Sequence, residues 1–135
     1  MKTQINAYLN FNGRCREAMT FYQQCIGGEL VLQKVSESPM AAQMPSEMGA
    51  QILHSTLTKG SILLMASDMM GSSLLQGNNI TLLFNCGNEK DIHEYFNHLS
   101  VDGHVKLPVH QSFWGSLYGE LTDKFGMNWS FNCTK

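Results

Sequence analysis

A chain of 135 residues with a formal charge of −2 has room for one domain with a real core. Its nine Lys and Arg residues are scattered, which excludes the basic stripe that neutralises nucleic-acid phosphates and the basic helix that lies on a membrane surface. Met1-Lys2-Thr3 runs straight into a strand-like segment, without the apolar stretch of a secretory signal or a membrane span, and points to a cytoplasmic protein with no nucleic-acid or membrane partner.

Residues 4–11 are apolar and aromatic enough for a strand, which Asn12-Gly13 ends. Cys15, Ala18, Met19, Tyr22, Cys25 and Ile26 then fall at the spacing of one buried helix face, closed by Gly27-Gly28. Residues 29–35 form a second strand, and residues 36–50 lose all periodicity, as a binding loop or a long hairpin connection does. Residues 51–58 and 61–67 read as a hairpin about Lys59-Gly60, and residues 68–79 as a linker. The second half repeats the plan. Residues 80–85 make a strand, Asn88 caps a helix buried through Ile92, Tyr95, Phe96 and Leu99, and strands follow at 104–110, 113–121 and 127–133. Cys15 and Cys25, roughly 15 Å apart on one helix, cannot bridge. Together with Cys86 and Cys133 they read as reduced, buried apolar groups.

The two halves share a register. Ala7 lies fourteen residues before Phe21-Tyr22 and Thr81 fourteen before Tyr95-Phe96, while His54 stands six residues before Gly60 and Glu120 six before Gly126. A βαβββ unit used twice implies an α+β fold: a curved mixed sheet around a central cup, with the helices on its outer face. The whole chain, 1–135, is then one domain, with a first unit over about 4–67, the linker over about 68–79 and a second unit over about 80–133. Strand alternation sets Leu53 and Leu57 against Ile52, His54, Thr56 and Thr58, and Leu117 and Leu121 against Trp114, Ser116, Tyr118 and Glu120. In the last strand Trp129 and Phe131 oppose Asn128, Ser130 and Asn132. The mixed polar and aromatic faces suit a ligand. The first strand allows two registers: the repeat turns Ala7, Leu9 and Phe11 inward, and a slip of one residue turns Tyr8 and Asn10 inward instead.

The run Tyr8-Leu9-Asn10-Phe11-Asn12-Gly13-Arg14-Cys15-Arg16-Glu17-Ala18, followed by Phe21-Tyr22 and Gly27-Gly28-Glu29-Leu30, resembles the PhnB-like branch of the vicinal-oxygen-chelate superfamily. So do Leu63-Leu64-Met65-Ala66-Ser67-Asp68 and the stretch from Gln111-Ser112-Phe113-Trp114-Gly115 through Tyr118-Gly119 to Leu121-Thr122-Asp123-Lys124-Phe125-Gly126 and Trp129. The likeness spans nearly the whole chain and implies a glyoxalase-like fold. It implies no single reaction, because the superfamily includes glyoxalases, ring-cleaving dioxygenases, epimerases, fosfomycin-inactivating transferases and bleomycin-binding proteins. It also implies a homodimer. The superfamily's usual divalent metal would fall, by spacing, on Ala7, Leu64, Thr81 and Ser130, none of them a His or a carboxylate, so no metal and no other cofactor is expected.

Two functional expectations result. The first is a small-molecule binder, such as a sequestering protein of the bleomycin-resistance type, lined by Ile52, Trp114, Ser116, Tyr118, Asn128 and Ser130. The second is an isomerase or lyase using His54 and Glu120 as acid and base, or as unconventional metal ligands. The plainer alternative has these two residues only satisfying each other's hydrogen bonds. His110 and Asp68 are weaker candidates, and His93, His98 and His104 belong to the exposed side of the second helix or its border. No G-x-S-x-G, G-x-x-x-x-G-K, H-E-x-x-H or G-x-G-x-x-G occurs. A methyltransferase label, which some relatives carry, thus finds no glycine-rich nucleotide loop here, and no Arg or Lys cluster forms a phosphonate clamp.

Overall fold

A computed structural model describes residues 2–134. The architecture is α+β, and the chain divides between Leu75 and Gln76 into two compact units. The first contains β1 (Ala7–Asn10), α1 (Cys15–Ile26), β2 (Glu29–Lys34), β3 (Ile52–Lys59) and β4 (Ile62–Ser67). The second contains β5 (Leu82–Asn85), α2 (Glu89–Leu99), β6 (His104–Gln111), β7 (Ser116–Thr122) and β8 (Asn128–Thr134). The sheet orders are β1-β4-β3-β2 and β5-β8-β7-β6, so the same βαβββ connectivity occurs twice and neither sheet closes on itself. In each sheet the first strand pairs in parallel with the last, and the remaining pairs are antiparallel.

The helix in each unit covers one sheet face because its apolar residues recur at helical spacing. Along α1, Ala18, Met19, Tyr22, Cys25 and Ile26 are buried, over Leu9, Leu57 and Ala66 of the sheet. Full burial of a side chain as large as Met19 or Leu57 is worth about 1.5–3 kcal/mol. The helix lacks a side-chain cap from Arg14. Asp68 does that work from outside: its Oδ1 accepts from the backbone N–H of Gly13 (2.8 Å) and Cys15 (3.0 Å), and its Oδ2 accepts from Ile52 N–H (3.0 Å). At the other end Gly27, at φ +87°, stops the helix, and Lys59 Nζ donates to the Ile26 carbonyl at 2.8 Å.

The second unit has a local cap, with Asn88 Oδ1 accepting from Asp91 N–H at 2.8 Å. Ile92, Phe96 and Leu99 form the buried side of α2, and the Phe96 ring meets Phe131 edge-on at 5.2 Å. Gly119 is small for a reason: a Cβ there would stand 2.9 Å from Phe96 Cε2 and 3.0 Å from Val109 Cγ2. The edge strand β6 tolerates Pro108 because its outer amides face no neighbouring strand. Three short 3-10 turns, Val35–Glu37, Pro39–Gln43 and Ser46–Met48, lead from β2 toward β3, and the first begins at the buried Val35. Cys15 is among four free cysteines, and burial pushes its thiol up to about 11, against a lowering bond from Ser55. Among the described residues no helix is long and apolar enough to cross a membrane.

Candidate functional site

Each sheet turns its second face away from its helix, and the candidate residues belong to these two faces. In the first unit one ladder row runs Tyr8, Met65, Thr56, Val31. Its side chains alternate with Leu9, Ala66 and Leu57, which pack beneath α1. Tyr8 therefore shares a face with His54, and its hydroxyl lies 3.3 Å from His54 Nδ1, with ring centroids 5.8 Å apart. Of the two registers open for the first strand, the one that sets Tyr8 and Asn10 on the face of His54 is the one adopted, because Leu9 and Phe11 are the residues buried. Ile52 has no exposed surface, and its backbone N–H is held by Asp68, so as it stands it forms core rather than wall. Asp68 itself is 1 % exposed and its oxygens are engaged by backbone amides, a clamp rather than a reactive group.

In the second unit the corresponding row is Leu83, Ser130, Glu120, Leu107, and the next is Asn85, Asn132, Tyr118, His110. Here several candidates converge. Tyr118 Oη stands 2.8 Å from Glu120 Oε2 and 3.2 Å from Ser130 Oγ. The phenol has one proton, which the carboxylate accepts, leaving the Ser130 hydroxyl to donate to the phenol oxygen. Ser130 pulls the Tyr118 ionisation down, but burial together with the hydrogen bond and charge of Glu120 outweighs it and raises the phenol above its ordinary range. Trp114 meets the Tyr118 ring edge-on at 5.5 Å and is 53 % exposed. The turn carrying it is fixed by Ser112 Oγ, which donates to the Ser116 carbonyl (2.7 Å) and accepts from Ser116 N–H (3.2 Å). Ser116, the first residue of β7, is thereby buried. Asn128 lies two positions along β8 from Ser130 and accepts from Thr122 Oγ1 at 2.8 Å. His110 is exposed and donates Nδ1–H to the Pro108 carbonyl at 2.9 Å.

The ladders correct one equivalence. Counting back from Gly60 and Gly126 matches His54 with Glu120, whereas the ladders match Thr56 with Glu120, since these are the residues opposite Met65 and Ser130 on the strand that pairs with the first. Tyr118 takes the place of His54. The turns cause the slip: β3 and β4 are joined by residues 60–61, β7 and β8 by residues 123–127.

They also relocate the superfamily's metal positions. Ala7 pairs with Leu64, which is buried on the α1 side, and Thr81 precedes β5. The first-and-last-strand pairs that face away from the helices are Tyr8 with Met65 and Leu83 with Ser130, followed by Asn10 with Ser67 and Asn85 with Asn132, which add only amides and a hydroxyl. A phenol, a thioether, an alkyl group and a hydroxyl do not make a set for zinc, nickel, iron or manganese. Among the described residues no three His, Cys, Asp or Glu side chains gather where they could hold a metal ion. The residues present do not fit the usual metal.

Comparison with known proteins decides the family. The family model described as 3-demethylubiquinone-9 3-methyltransferase matches residues 3–131. The chain belongs to this PhnB-like branch of the glyoxalase/bleomycin-resistance/dioxygenase superfamily. Protein YjdN of Escherichia coli (strain K12) is 31% identical over 141 residues, covering 97% of this chain and 95% of that protein. The crystal structure of PA1353 from Pseudomonas aeruginosa superposes with a TM-score of 0.83 at 34% identity, covering 98% of each chain. The PhnB protein from Bacillus cereus is 23% identical with a TM-score of 0.74, over 98% of this chain and 100% of that one, and supports the fold alone.

Proposed function

We propose that this PhnB-like protein binds a small organic molecule on the open face of its second unit, through Trp114, Tyr118, Glu120 and Ser130, without the superfamily's divalent metal. The observation that carries this reading is the phenol–carboxylate–hydroxyl group beside an exposed indole: a few fixed polar atoms next to an aromatic surface are what a small-molecule site provides. Binding alone would suit a sequestering protein of the bleomycin-resistance type. The methyltransferase in the family's description is not carried to this chain. Its β1 leads into α1 with no glycine-rich loop, and the amides of Gly13 and Cys15 that could cradle an anion are held by Asp68.

A second reading, an isomerase or lyase, rests on the Tyr8 hydroxyl at His54 Nδ1. If the hydroxyl donates, the imidazole proton sits on Nε2, where it is available to a substrate. In that reading His54, on the first sheet, is the group that exchanges a proton with the substrate.

One screen separates the two. A fragment library titrated into the full chain and followed by NMR is expected to give hits that shift the Trp114 indole. Glu120→Gln and Trp114→Ala should each weaken those hits more than about fivefold, as loss of a hydrogen bond to a charged group does. Hits unaffected by both substitutions would remove the binding reading. Turnover lost in His54→Ala, with binding kept, would establish the enzyme.

A further inference from the structure

We infer that the face carrying Glu120 selects organic cations, resting on the ligand-binding reading above and naming the class of ligand it takes. Glu120 is a half-buried carboxylate that forms no ion pair among the described residues, and its one hydrogen-bonded oxygen, Oε2, is held by the neutral phenol of Tyr118. Among the described residues its Oε1 has no side-chain or backbone donor. A fixed negative charge with an open acceptor attracts a cation and repels an anion. The surroundings are aromatic. Tyr118 presents its ring edge-on to Trp114 at 5.5 Å, and Phe113 meets Trp114 at 4.9 Å while being 98 % exposed. Ring faces of this kind attract ammonium and guanidinium groups, most strongly for tryptophan.

Apart from His110, the other groups in the rows of Glu120 and Tyr118 are uncharged. Ser130, Asn132 and Asn85 supply amides and a hydroxyl, and Asn132 Nδ2 donates to Asn85 Oδ1 at 3.4 Å. His110, in the row of Tyr118, has its Nδ1 proton on the Pro108 carbonyl. Lys106, next to the rung partner of Glu120 on β6, stands in a register irregularity and forms no ion pair with it. Tyr118 has two tasks here: its hydroxyl fixes the carboxylate and its ring forms part of the aromatic wall.

The test uses three compounds of one shape and three charges: choline, its neutral carbon isostere 3,3-dimethylbutan-1-ol, and the anion 3,3-dimethylbutyrate. Each is titrated by NMR into the isotope-labelled full chain, following the Trp114 indole and the Tyr118 ring. Choline is expected to bind about tenfold more tightly than the neutral isostere, and the anion more weakly than either. In Glu120→Gln, a near-isosteric change, the preference of choline over the alcohol should fall to about one, and in Trp114→Ala choline should weaken by about tenfold with the fold intact. If the alcohol binds as well as choline at these resonances, the cation inference falls and the binding reading stands. A charge preference that survives Glu120→Gln also overturns it. If none of the three shifts Trp114 or Tyr118, both the inference and the binding reading fail.

Discussion

Asp68 and Asp123 show how much a single carboxylate can organise. Asp68 joins the start of α1 to the start of β3 through three backbone amides. Asp123 accepts from Phe125 N–H (2.8 Å), Met127 N–H (3.1 Å) and Trp129 Nε1 (2.8 Å), which fixes the turn between β7 and β8. Asp68→Asn keeps the size but removes charge and turns an amide NH2 toward backbone donors. We expect it to cost about 3 kcal/mol in urea denaturation of the full chain. A loss below about 0.5 kcal/mol, the scatter of neutral surface changes, would show that the clamp is not needed. Nothing in the sequence near Asp68 announces this role, because its partners lie 16, 53 and 55 residues away. Strand alternation was enough to set Tyr118 on the face of Glu120, but not to show its contact with Ser130 on the neighbouring strand. Its phenol titrates above an unfolded tyrosine, near pH 10. The folded pKa is the higher one, so its contribution to stability is complete below about pH 10 and is lost as the pH rises through the folded value. Tyr118→Phe should therefore flatten the alkaline limb of a stability-versus-pH curve. A limb unchanged by the substitution would mean that another group sets it.

At the scale of elements, the two α-helices and the eight strands of the described residues were readable, because amphipathic spacing and turn residues agreed along each segment. The first strand shows the limit. Ala7, Tyr8, Leu9 and Asn10 could be faced either way, and only the burial of Leu9 and Phe11 under α1 decides it. The repeat likewise gives connectivity correctly and register incorrectly, since a residue count across a turn absorbs any difference in turn length. Close helix–sheet approach was also invisible, and Gly119 carries it. Gly119→Ala should push Phe96 and Val109 aside and destabilise the second unit by about 1–3 kcal/mol, the range for overpacking. A crystal structure of the variant with Phe96 and the β6 backbone unmoved would contradict this account.

For the molecule as a whole, the family membership fixes a plan of two βαβββ units and leaves chemistry to the faces. The donor set leads us to expect less than a tenth of an equivalent, roughly, of zinc, nickel, iron or manganese in protein purified without chelator, measured by mass spectrometry. One full equivalent, held through dialysis, would overturn the metal-free reading. We also propose that the chain is a homodimer, with the methionines of residues 36–50 and Met69 and Met70 as candidates for the contact or for a lid. Sedimentation at micromolar concentration should give twice the 15.1 kDa chain mass. A monomer alone would exclude the dimer.

Both tryptophans lie in the second unit: Trp129 is 3 % exposed and bonded to a carboxylate, and Trp114 is 53 % exposed on the proposed ligand face. The intrinsic emission of this protein is thus a two-colour gauge of one half. Its bluer part comes from an indole shielded from water and changes when the core of that half opens. The redder part comes from an indole already wet, which responds to anything settling on the surface around it. Nothing in that light comes from the first unit. A melting curve followed only by tryptophan fluorescence could end while His54, Tyr8 and the whole of the other sheet were still in place.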